Sequence, residues 1–125
     1  MNVSLLIAAL LTFVIGAIHS WRGERRLLGP LLAPDQRQGM LANTFVRRVL
    51  RFGWHLTSIA WWGMGATIAA LAMAPPLDRQ GRLTLWGMAA TFLVTGVLIL
   101  ITSRGRHLAW PVFLAIVTLI AVALL

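Results

Sequence analysis

Four apolar runs divide this chain, and they limit its possible folds more than any other feature. They cover about residues 3–20, 51–74, 83–102 and 108–125. Several approach the roughly 20 residues that a helix needs to cross the hydrocarbon core of a bilayer. Only 11% of the 125 residues are charged and 59% are hydrophobic, which leaves too little polar surface for a soluble domain of this size. The expected fold class is therefore all-α. It is a polytopic membrane protein with four transmembrane helices in a bundle, one domain over 1–125, and short interfacial helical pieces in the first connection.

The first run, Val3 to Ile18, has no basic residue before it and is followed by His19-Ser-Trp-Arg-Gly-Glu-Arg-Arg. A secretory signal would show the opposite flanks and a small-residue cleavage site, so an uncleaved first span is expected. Ala8, Thr12, Gly16 and Ser20 recur every four residues, a spacing that lets a second helix approach closely. Chance placement in an alanine-rich helix explains that stripe equally well. The long connection from Trp21 to Val46 mixes arginines with Leu27, Leu28, Leu31 and Leu32. Gly29-Pro30 and Ala33-Pro34 are expected to interrupt any long helix there, and Asp35 or Asn43 to cap the next one.

The second run is expected to stop at Pro75-Pro76. Trp61 and Trp62 lie deep for interfacial residues, which points to packing against neighbouring helices. Leu77 to Arg82 reads as a short polar turn suited by Gly81. Thr84, Thr91, Thr95 and Thr102 share one stripe of the third run, where threonine hydroxyls bond carbonyls one turn back. The fourth run is short for a span, and its Pro111 falls in a first turn, where proline is tolerated.

The net charge of +8 comes from eleven arginines against Glu24, Asp35 and Asp78. The arginines lie at the ends of apolar runs, which is the pattern of topology signals and anionic-lipid contacts rather than of nucleic-acid binding. Nine fall on the side of the first and third connections; only Arg79 and Arg82 fall on the other. The positive-inside rule puts the nine in the cytoplasm and both termini in the periplasm of a bacterial inner membrane. The expected partners are the lipid bilayer and its anionic lipids. A homo-oligomer and a membrane-protein partner both stay open.

Arg48, Arg51, His55, Ser58 and Trp62 recur at intervals of three and four, on one face of the second helix. His19, His55 and His107 all fall at the arginine-rich membrane face, with Glu24 just beyond His19. The ligand-binding candidates are His19, Glu24, His55, His107, Arg48, Arg51, Arg104 and Arg106. Three readings compete for them. An anionic group such as a lipid headgroup phosphate would meet the arginines. A b-type haem would take two histidines, with arginines at its propionates. A divalent metal would take His19, His55, His107 and Glu24, although no zinc signature is present and the arginines repel a dication. Against all three stands the ordinary reading that interfacial histidines are common and that Glu24 pairs with Arg25 or Arg26. With no cysteine, tyrosine or lysine, enzyme chemistry has few groups to use beyond a His/Glu acid–base pair.

Three strings flank these runs: His19-Ser-Trp-Arg-Gly-Glu-Arg-Arg-Leu-Leu, Leu50-Arg-Phe-Gly-Trp-His-Leu-Thr-Ser, and Ser103-Arg-Gly-Arg-His-Leu-Ala-Trp-Pro. Together they resemble a group of small four-helix proteins of proteobacterial inner membranes. The resemblance covers most of the chain and implies a multi-pass inner-membrane location. It implies no catalytic residue, cofactor or substrate.

Overall fold

The computed structural model describes residues 1–74 and 76–125. Among the described residues the chain is 85% helical, with no strand. Four helices carry the fold: α1 (Val3–Leu31), α2 (Thr44–Met73), α3 (Arg79–Thr102) and α4 (Ala109–Leu124). The first three are long and apolar enough to cross a membrane, whereas α4 has 16 residues. Large apolar side chains also face outward, among them Leu10, Val14, Ile59, Leu93 and Leu98. Water would penalise such a surface, and lipid would not.

Three helices start on polar caps, which satisfy N–H groups that the helix itself leaves unpaired. The Asn2 side chain accepts from the Leu5 N–H at 3.2 Å, Asn43 from Phe45 at 2.8 Å and Asp78 from Gly81 at 2.7 Å. The Asn43 cap starts α2 seven residues before the expected Arg51, since nothing in 44–50 breaks a helix. Likewise Gly81 lies in the first turn of α3, not in the polar turn expected for it. The expected stop at Pro75 lies outside the described residues.

The expected break at Gly29-Pro30 is corrected. Helix α1 runs on to Leu31 through a widened π-type turn, Glu24–Leu28, in which the Gly29 N–H reaches the Glu24 carbonyl. The wider turn shifts the hydrogen-bond ladder by one residue just where the Pro30 ring would press on the preceding carbonyls. Beyond it come short 3₁₀ turns at Pro34–Gln36 and Gly39–Ala42. The Arg47 guanidinium fastens that connection to α2, donating to the Leu41 and Ala42 carbonyls at 2.7 and 2.8 Å and to the Thr44 hydroxyl at 3.0 Å.

Helix α1 is central. It packs against α2 and α4, α4 packs against α3, and the consecutive helices α2 and α3 make little contact. The Asn2 N–H donates to the Ala72 carbonyl at 2.8 Å, and Arg82 donates to the Leu124 carbonyl at 2.6 Å. Both termini therefore share one end, opposite the arginine-rich connection. The apolar core fills the termini end with Leu5, Ala8, Ile68, Ala72, Leu85 and Ile120.

The α1–α2 seam is close because α1 presents Ala8, Thr12 and Gly16, all buried. Two tryptophans of α2 lie flat against two glycines of α1. A Cβ on Gly16 would stand 2.6 Å from Trp62 Nε1, and one on Gly23 only 1.8 Å from Trp54 Nε1. These indole N–H groups donate to the Phe13 and His19 carbonyls, each at 3.1 Å. Trp61 thus packs between helices, as its depth in the sequence suggests, and Trp62 lies against α1 with its outer side exposed. Thr91, Thr95 and Thr102 bond the carbonyls of Gly87, Thr91 and Leu98, one turn back.

Candidate functional site

At the arginine-rich end the polar stripe of α2 turns toward α1 and finds matching partners. Ser20 and Glu24 lie four residues apart on α1; Arg51, His55 and Ser58 lie four and three apart on α2. The helices run antiparallel, so the two ladders interlock. Glu24 Oε1 meets Arg51 Nη2 at 2.9 Å, and Glu24 Oε2 meets His55 Nε2 at 3.2 Å. The other imidazole nitrogen, Nδ1, lies 2.8 Å from Ser20 Oγ, and Ser20 Oγ lies 2.8 Å from Ser58 Oγ. Ser58 is fully buried, and a buried hydroxyl needs a partner. Glu24 stands at the start of the π-type turn, a kind of local widening frequent at functional sites. It pairs across the seam, not with Arg25 or Arg26 as the ordinary reading expects; Arg25 instead lies over the Trp21 ring.

This network accepts two proton arrangements without moving a heavy atom. With neutral His55, Nε2–H donates to Glu24, the Ser20 hydroxyl donates to Nδ1, and the Ser58 hydroxyl donates to Ser20. With one more proton, both ring N–H groups donate, to Glu24 and to Ser20, and the Ser20 hydroxyl turns to Ser58. Hydroxyl rotors permit both. The order serine–histidine–carboxylate also resembles a nucleophile triad. Ser20 sits inside α1, however, where backbone N–H groups belong to the helix ladder, so no free pair of donors stands ready for an oxyanion beside it.

His19 belongs to a different structure. Its ring stacks on Trp54 at 4.4 Å and meets the edge of Trp61 at 5.0 Å. Trp61 continues to Phe113 at 5.1 Å and Phe113 to Phe92 at 5.9 Å. An aromatic series thus links the polar end to the core and takes in a residue of each of the four helices. His19 Nε2 is buried there without a hydrogen-bond partner among the described residues.

His19, His55 and His107 gather at this end, near enough for a charge on His55 or His107 to act on His19, but they share no contact. His107 is exposed, and its Nδ1 accepts the Ala109 N–H at 3.2 Å at the start of α4. Arg104 and Arg106 are exposed too, on a turn bent by positive φ at Arg104 and Gly105 and closed by the Trp110 indole on the Gly105 carbonyl. Stacking occupies His19 and helix capping occupies His107, so neither reaches the Glu24–His55 pair. Among the described residues no three His, Asp or Glu side chains converge to hold a metal ion.

The network forms one wall of a cleft. An open space of about 500 Å³ lies between the first connection and α2, lined by Leu32, Arg37, Thr44, Arg47, Arg48, Arg51, Phe52 and His55. Its four arginines are not equivalent. Arg47 is bound to the connection and Arg51 to Glu24, whereas Arg37 and Arg48 are exposed and their guanidinium groups make no hydrogen bond or ion pair with the described residues. Arg48, Arg51 and His55 were legible as site residues from the α2 stripe. Ser20, Arg37 and Arg47 were not assigned there; the four-residue step from Ser20 to Glu24, matching that from Arg51 to His55, is the signal that could have found Ser20. Comparison of the chain with protein-family models, curated proteins and solved structures gives no match.

Proposed function

We propose that this protein is a small integral membrane protein that holds an anionic group, such as the phosphate of a lipid headgroup, in the cleft beside His55. The observation that carries the reading is the lining itself: four arginines and a histidine around about 500 Å³, with the apolar Leu32 and Phe52 among them. Arg37 and Arg48, without partners, supply the cations for a phosphate, and guanidinium forks suit its oxygens. Leu32 and Phe52 suit the glycerol and first acyl carbons of a phospholipid. In this reading the helices cross a bacterial inner membrane four times, with the cleft at the cytoplasmic face and both termini periplasmic, which the arginine distribution favours. The haem reading has less support, because both nitrogens of His55 are already engaged and His19 is enclosed by two indoles. The structural-subunit reading gives the cleft no role.

The test is the lipid that stays with the purified protein. Native mass spectrometry of protein released from mixed micelles should show retained phosphatidylglycerol in preference to phosphatidylcholine. Joint replacement of Arg37 and Arg48 by Gln should remove the preference. Equal retention of both lipids by the unaltered protein would sink the proposal.

A further inference from the structure

A ligand phosphate in this cleft and the Glu24 carboxylate would compete for the same cations. Arg51 and His55 line the cleft, yet both already face Glu24, at 2.9 and 3.2 Å. A phosphate drawn in by Arg37 and Arg48 would bring a second negative charge beside that carboxylate. Glu24 holds Arg51 and His55 away from that phosphate, and a proton taken up by the pair would release a cation to it. We infer that Glu24 is a resident counter-anion of the cleft, and that anionic-lipid binding there is coupled to uptake of one proton by the Glu24–His55 pair. The inference rests on the anionic-group reading of the same cleft.

The geometry supports each step. The additional proton needs no rearrangement of heavy atoms: Nδ1–H then donates to Ser20 Oγ, and the Ser20 hydroxyl turns to Ser58 Oγ, each over 2.8 Å. His55 as imidazolium balances Glu24 alone, which frees Arg51 for the phosphate. Opening the Arg51–Glu24 contact costs little, because the side chains are 51% and 39% exposed and such pairs are weak in water. The charged groups around the pair are Glu24 itself from α1, Arg48 and Arg51 from α2, and Arg37 and Arg47 from the connection. His19 of α1 is turned into the Trp54–Trp61 stack, and His107, before α4, is bonded to the Ala109 N–H. The proton comes from solvent, and no bond other than the N–H is made.

The experiment titrates short-chain phosphatidylglycerol into the full-length protein in detergent from pH 5.5 to 8. This phosphodiester keeps one charge over that range, so any linked proton is the protein's. Kd should fall as pH falls, by up to about tenfold per unit if one proton is taken up. His55→Gln removes the group that takes the proton, so its Kd should change less than twofold across the range. Calorimetry of the unaltered protein in two buffers of different ionisation heat should report uptake of about one proton. A flat pH profile, zero proton uptake, or a His55→Gln protein that keeps the full slope would overturn the coupling and leave the anion site standing. Absence of binding at every pH would overturn the site and the coupling together. If His55→Gln does not fold, the buffer-dependent heats of the unaltered protein decide alone.

Discussion

Replacing Gly23 by Ala should damage this protein far more than the same change at Gly53, although both glycines lie in helices. A Cβ at Gly23 would stand 1.8 Å from Trp54 Nε1 and 2.3 Å from Cε2, whereas a Cβ at Gly53 meets nothing within 4 Å. The indole has to leave. It loses its 3.1 Å hydrogen bond to the His19 carbonyl, worth about 1 kcal/mol within a membrane protein. It also loses the 4.4 Å stack on His19, worth about 1 kcal/mol. Forcing a bulky ring out of a filled seam adds about 1–3 kcal/mol. The expected loss is about 3–5 kcal/mol, against a gain of up to about 1 kcal/mol at Gly53 from helix propensity. Unfolding by dodecyl sulfate in mixed micelles, followed by tryptophan fluorescence and circular dichroism, measures both. The clash is specific to one ring, so in a Trp54→Ala background Gly23→Ala should cost less than about 0.5 kcal/mol. Equal effects at Gly23 and Gly53, or an undiminished cost in that background, would refute the reasoning.

Three further outcomes follow from the same contacts. Ser58→Ala removes a buried partner but leaves Ser20 bonded to His55, so unfolding should cost about 1 kcal/mol and no more than about 2. Asp78→Ala removes the N-cap of α3 and should also cost about 1 kcal/mol in the same assay, with no effect on lipid retention at the far end of the molecule. In cells, a topology reporter fused after Leu125 should read periplasmic and one inserted near Gln38 cytoplasmic; the reverse for both would overturn the orientation drawn from the arginines.

The helices were legible because apolar run length is a strong signal, and the α2 stripe was legible because its period is helical. Inward rotation of Arg51, His55 and Ser58 followed from the cost of polar groups facing lipid. Their partners were harder to read. Ser20 looked like one more small residue in the stripe from Ala8, and its role depends on which helix lies opposite. His19 and His107 share a membrane level with His55, but level does not fix direction: stacking on Trp54 claims one and the Ala109 N–H claims the other. Hydropathy marks Arg51, where apolar residues begin, whereas α2 begins at its Asn43 cap. The π-type turn at Glu24 has no composition signal, and Gly29-Pro30 pointed to a break where the helix widens instead.

Photocrosslinking tests the central claim, an anionic-lipid site between the first connection and α2, most directly. A phosphatidylglycerol with a diazirine close to its headgroup is incorporated into phosphatidylcholine nanodiscs holding the protein, irradiated, and the adducts are mapped by peptide sequencing. The expected adducts concentrate between residues 32 and 55, on Leu32, Arg48, Phe52 and their neighbours, and fall sharply in the Arg37→Gln/Arg48→Gln protein. Adducts spread evenly over α3 and α4, or an identical pattern from a phosphatidylcholine probe, would contradict the account.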